Sequence, residues 1–276
     1  MKPSLLLLMW MLTVVSSAQP PAAPELSVSA NGARDLDLYA GWPLIVRVSV
    51  MHSLRLARFG DQPPLRIAPV GMPWTGAIQF AAVSSAGKSA SWPLTLVSAP
   101  PDPVLTLPNR SYVMVVWQMP ADAVSTLPPG TYQLLTTLQV TGSDGWNGTV
   151  ASPPVTIRIG PEPAALTPDQ EAAKANLVAQ YAVNTGDMAT AASAIGGLLA
   201  SQPDNVGAMA TNAALLQQAG LTWPAFFQAS DALNSFFQNN PAPVEMPQDL
   251  LGLYQELFAE ILAPSTGASG SAVRRR

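Results

Sequence analysis

The sequence predicts an α+β protein in two separate parts, an antiparallel β-sandwich over residues 24–160 and an all-α set of helical hairpins over residues 161–263. Three observations predict it. Short alternating runs cut by Pro and Gly clusters fill the first part. Apolar residues at spacings of three and four fill the second, which opens on the helix-start signal Thr167-Pro168-Asp169-Gln170. Charge divides at the same place: 24–160 holds eight Lys/Arg against seven Asp/Glu, whereas 161–264 holds Lys174 against ten carboxylates.

In chain order, Lys2 precedes an apolar run, Leu5 to Val15, that closes on Ser16, Ser17 and Ala18. The run is shorter than the about 20 apolar residues that span a bilayer, and Ser16 and Ala18 satisfy the small-x-small rule, so residues 1–18 read as a signal peptide cleaved after Ala18. No later stretch is long and apolar enough for stable membrane insertion, and the chain has no cysteine. The expected location is therefore periplasmic or secreted, with folding that relies on packing rather than disulfides.

The clearest strand is Leu44 to Met51, with Leu44, Val46, Val48 and Val50 on one face and Ile45, Arg47, Ser49 and Met51 on the other. Further strands are expected over 77–83, 92–97, 112–119, 131–140 and 155–159, a spacing that suits two antiparallel sheets. Pro63-Pro64 and Pro100-Pro101 belong to joints, since proline cannot donate to a central ladder. Asp35 and Asp37 read as an edge strand protected by its charges.

The segment Leu127-Pro128-Pro129-Gly130-Thr131-Tyr132-Gln133-Leu134 resembles the turn-into-strand segment of bacterial immunoglobulin-like and fibronectin type III-like domains. That resemblance implies a sandwich with Tyr132 at a sheet corner, its ring buried and its hydroxyl bonded to nearby backbone. The paired cysteines of antibody domains are missing, so the resemblance extends to architecture alone.

Beyond Pro161-Glu162-Pro163, apolar stripes run through Leu177 and Tyr181, through Met188, Ala192, Ile195 and Leu199, and through Val206, Met209, Ala213 and Leu216. Phe226, Ala229, Leu233 and Phe236 continue them, and a last helix covers 247–262. Gly186 and Gly220, Ala191 and Ala225, and Ala179 and Ala213 each stand 34 residues apart, the period of the tetratricopeptide repeat. The region resembles a degenerate pair of such repeats. The resemblance implies a turn at Gly186-Asp187, a close helix crossing at Ala191 and a protein or peptide partner held in a groove. Two repeats bury too little on each other, so the last helix and the β-half or a partner must cover the open ends. Residues 264–276, Ser/Gly/Thr/Ala followed by Arg274, Arg275 and Arg276, read as a disordered basic tail.

Composition removes much of catalysis. His52 is the single histidine, which rules out a site of several histidines, and the lack of cysteine removes thiolate ligands and nucleophiles. His52 is expected in a half-exposed loop after its strand. Ser85-Ala86-Gly87-Lys88 matches S-x-x-K but joins two strands and lacks the companion motifs, so it reads as a hairpin turn. Asp144-Gly145-Trp146-Asn147-Gly148 lacks the acidic run of a calcium loop and likewise reads as a turn. No phosphate-cradling glycine motif is present. We therefore expect no catalytic residue, metal or cofactor. The acidic second half disfavours nucleic acid.

The expected function is a non-catalytic protein–protein interaction or assembly factor of the bacterial cell envelope. Met209, Leu216, Phe226 and Phe227 are candidate partner contacts on the helices, and Trp146 is another at the tip of a Gly-rich hairpin. The alternative is a carbohydrate-binding sandwich that uses Trp146 with Trp74 and Trp92 as a stacking surface; a hydrolase built on Asp or Ser ranks below both.

Overall fold

A computed structural model describes residues 23–52, 63–142, 144–240 and 248–262, so the signal peptide expected over 1–18 and the basic tail expected over 264–276 lie outside the described residues. The chain is α+β. Among the described residues, twelve strands, one short α-helix and a 3-10 turn over Trp74–Ala77 lie in the part up to Gly160, and five helices follow it.

Strand β1 (Pro24–Ala30) pairs antiparallel with β3 (Leu44–His52), which pairs antiparallel with β9 (Tyr112–Met119). Strand β7 (Thr95–Ser98) completes that sheet in the order β1-β3-β9-β7. A second sheet contains β2 (Asp35–Tyr39), β12 (Val155–Gly160), β10 (Gly130–Val140), β5 (Ile78–Ser84) and β6 (Ser89–Ala90) in that order. Strand β11 (Gly148–Ala151) adds to β10. Strands β4 (Leu65–Ile67) and β8 (Leu105–Leu107) pair separately. The alternation of β3 has the physical consequence expected of it, since Leu44, Val46, Val48 and Val50 are fully buried.

Buried residues of both large sheets belong to one apolar cluster that includes Val48, Val115, Leu134 and Ile157. Phe80 of β5 meets Trp117 of β9 edge to face at 5.0 Å, a direct contact between the sheets. Sheet pairing departs from the expectation at one edge. Strand β2 runs parallel to β12, because the turn at Asn31 and Gly32, both with positive φ, carries the chain from the first sheet to the far side of the second. The strand expected over 92–97 is instead β6 and β7, separated at Trp92-Pro93, where proline interrupts the ladder. A short helix α1 (Ala121–Ser125) follows Pro120.

The helical half begins with α2 (Pro168–Asn184). Thr167 and Gln170 form a reciprocal capping box and Pro168 occupies the first turn, so the helix-start signal acts as its chemistry dictates. Helices α3 (Met188–Ser201) and α4 (Val206–Gln218) start on Asp187 and Asn205, whose side chains accept from backbone N–H groups of Thr190 and Ala208. Helices α5 (Thr222–Asn239) and α6 (Gln248–Leu262) complete the set. Each packs on its predecessor, and α6 also touches α4. Of the residues spaced by 34, Gly186 and Gly220 both have φ near +75°, at 77° and 74°. Ala179, Ala213, Ala191 and Ala225 are all fully buried, where helices approach closely.

The first of these helices lies against the β-half. Leu177 belongs to the β-rich core and Tyr181 packs on it. Around that apolar contact, Arg47 donates to Gln180 at 2.9 Å and Gln170 donates to the Tyr39 hydroxyl at 3.1 Å. Glu162 accepts from the Trp42 indole at 2.9 Å and pairs with Lys174 at 2.6 Å. The open end of the helical set is thus covered by the β-half on one side and by α6 on the other.

Candidate docking surface

His52 is not in a half-exposed loop. It ends β3 with no exposed surface, its Nε2 is 3.0 Å from the Pro63 carbonyl, and its backbone N–H donates to Ser111. Pairing with the residues before β9 extends the ladder one residue further than the alternation indicates. Its Nδ1 has no hydrogen-bond partner among the described residues. Ser85 to Lys88 form the turn between β5 and β6, closed by the Ser84 N–H bond to the Lys88 carbonyl with Gly87 at φ 75°. Asp35 and Asp37 both bind Arg158 at 2.6 Å, and these two carboxylates raise the guanidinium pKa, Asp37 foremost. The pair held across one cation ties β2 to β12 at the sheet edge. Asp144 pairs with Arg66. No acidic or imidazole cluster fit for a metal occurs among the described residues.

The tryptophan surface expected of a sugar binder is not assembled. Trp74 is fully buried and Trp92 nearly so, the latter edge to face with Tyr132 at 5.5 Å. Trp146 does not project from a hairpin tip; it is half-buried and packs on the β-rich core. Its loop folds back over β4, where the Trp146 N–H donates to the Arg66 carbonyl at 2.8 Å. Gly145 and Gly148 permit this, with φ of 152° and 150° and close approaches to Arg66 and to the indole.

The four helical candidates separate by burial. Met209 is buried in the packing of α4 against α5 and α6, and Leu216 is half-buried beside Ala213 and Ala225. These two hold the helices together. Phe226 is half-buried and Phe227 is 59% exposed, and they form part of a larger aromatic group. Trp223, which the apolar periodicity does not single out, is 57% exposed and lies 6.0 Å from Phe227 and 6.3 Å from Phe226. Phe226 continues to Tyr254 at 5.2 Å and Phe258 at 6.3 Å on α6, and Phe258 is 46% exposed. Five rings from two helices thus form one contiguous surface of which three are about half in solvent. Large rings left in water cost hydrophobic free energy of about 25 cal/mol per Å² relative to burial, and contiguous apolar patches mark contact sites.

Two open clefts flank the seam between halves. One, of about 460 Å³, lies between Tyr39, Trp42 and Asp37 of the β-half and Asn176 and Gln180 of α2. The other, of about 360 Å³, lies between Arg47 and the facing sides of α2, α4 and α6, with Asn184, Thr211 and Leu253 on its walls. Both are bounded by the hydrogen bonds that join the halves.

No protein-family model matches the chain, and no curated protein matches it. Among solved structures, a family 123 glycoside hydrolase from Clostridium perfringens aligns with a TM-score of 0.30 and 10% identity over 53% of this chain and 29% of its own. The Escherichia coli chaperone DraB aligns at 0.27 and 13% identity over 54% of this chain and 60% of its own. A structure from the aggregative adherence fimbriae of enteroaggregative Escherichia coli aligns at 0.26 and 16% identity over 50% and 99%. The chain thus spans about three-tenths of the glycoside hydrolase, and similarity at these scores assigns it to no family.

Proposed function

We propose that this protein is an exported, non-catalytic docking or assembly factor of the bacterial cell envelope. In this reading an immunoglobulin-like sandwich carries a short tetratricopeptide-like set of helical hairpins, and the helices hold a protein partner. The observation that carries it is the half-exposed aromatic surface of α5 and α6, Trp223, Phe226, Phe227, Tyr254 and Phe258. The repeat reading is supported by two positive-φ glycines and four buried alanines at a 34-residue offset, and the sandwich reading by the single core between two sheets. Export rests on the leader-like residues 1–18. Aromatic anchors with solvent on one side and a packed base on the other are the usual centres of binding energy at protein interfaces.

The test is affinity capture from envelope extract with the chain starting at Gln19, beside the same chain carrying Trp223→Ala and Phe227→Ala. The reading expects a defined protein, identified by mass spectrometry, that the double variant fails to retain although its circular dichroism is unchanged. Equal capture by both forms would refute docking at this surface.

A further inference from the structure

We infer that the α5–α6 aromatic surface receives a cationic amphipathic segment of the partner, its apolar side on the rings and its Lys or Arg side chains over ring faces and carboxylates. The inference rests on the docking reading above and specifies the chemistry of the occupant.

The charge pattern carries it. Between Lys174 and Arg274 the chain has no Lys, Arg or His, while it has seven carboxylates, among them Asp231, Glu256 and Glu260. Asp231 is exposed one helical turn beyond Phe227 on α5. Glu260 is exposed at the opposite end, where it accepts from Gln217 at 2.8 Å and from the Thr222 hydroxyl at 3.4 Å, next to Trp223. Neither carboxylate has a cationic partner on its own helices. Half-exposed Trp and Phe faces attract ammonium and guanidinium groups through the ring quadrupole. An apolar strip with anionic ends therefore selects a helix or strand that alternates apolar and basic residues, and electrostatic complementarity of this kind also rejects acidic competitors.

The same charges argue against other occupants. A second copy would set Asp231 and Glu260 against their own equivalents, and an anionic lipid surface would meet the carboxylates before the rings.

The test uses the chain from Gln19 to Arg276 and three labelled helical peptides with one Leu pattern, carrying Lys, Glu or Gln on the polar side. Fluorescence anisotropy should show saturable binding of the Lys peptide, weakening as salt rises. Binding should fall about tenfold or more in Trp223→Ala/Phe227→Ala, and fall for the Lys peptide alone in Asp231→Asn/Glu260→Gln, which keeps the rings and the bond from Gln217. Equal binding of the Glu or Gln peptide would overturn the cationic assignment while leaving docking intact. Lys-peptide binding that both variants leave unchanged would place the contact elsewhere. Ring-dependent self-association by sedimentation, or ring-dependent binding to phosphatidylglycerol vesicles, would replace the inferred occupant by a second copy or a lipid surface. Failure of the docking reading itself is separate, because it shows as partner capture insensitive to the rings.

Discussion

At the scale of single residues, the β-half depends on polar groups that reach backbone only in the folded chain. The Tyr132 hydroxyl donates to the Pro128 carbonyl at 2.9 Å while its ring is buried, the geometry expected from the resemblance that the Pro-Pro-Gly-Thr-Tyr segment carries. Tyr132→Phe keeps the ring and removes one partly buried hydrogen bond, so it should destabilise the protein by about 1 kcal/mol, measured by urea denaturation at unchanged slope. An unchanged midpoint would mean the hydroxyl is satisfied equally well by water. Tyr132 was legible because glycine and proline fix the turn next to it. Trp146 was not, because its burial depends on Arg66, 80 residues earlier, whose carbonyl accepts from the Trp146 N–H and whose side chain pairs with Asp144. His52 escaped for a similar reason, since Pro63 and Ser111 supply its partners. Trp223 does leave a signal: with Phe226 and Phe227 it forms an i, i+3, i+4 aromatic stripe that is offset around the helix from the Ala225, Ala229 and Ala232 stripe, which is the buried one.

At the scale of elements, the helices were the most legible, since capping residues and 3.6-residue periodicity act locally. Strands β4 and β8 are not legible, because three-residue strands between prolines have too few positions to show alternation and their pairing comes from distant partners, whereas β1 does carry the pattern in its seven residues, with Leu26, Val28 and Ala30 inward. The parallel pairing of β2 was equally illegible, as register across β12 is set by the crossing at Asn31 and Gly32. Within the helical set, small residues decide how closely helices approach. Ala191 and Ala225 are fully buried at equivalent positions of the offset, so Ala191→Leu and Ala225→Leu should each overpack a helix crossing and cost about 1–3 kcal/mol, read as a lower thermal midpoint by circular dichroism. Tolerance of leucine at both positions would contradict a close crossing there.

At the scale of the whole molecule, Glu162 joins the halves. Lys174, and after it the Trp42 indole, hold its carboxyl below the ordinary glutamate range. A lowered folded pKa contributes stability that is present above the ordinary value of about 4.3 and is lost as the pH falls through the lowered one. Wild type should therefore exceed Glu162→Gln in thermal midpoint at neutral pH, and the gap should close on acidification through that range. A gap independent of pH would show that charge at Glu162 contributes nothing. With the β-half closing one side of the helices and α6 the other, the aromatic surface of α5 and α6 remains turned to solvent, and the account stands or falls on what meets it. The most direct measurement is photo-crosslinking in intact cells with p-benzoylphenylalanine at Phe227, beside a control at Val70, which is exposed on the β-half. The account predicts one discrete protein adduct from position 227 and none from position 70. No adduct at 227, or the same adducts from both positions, would contradict it.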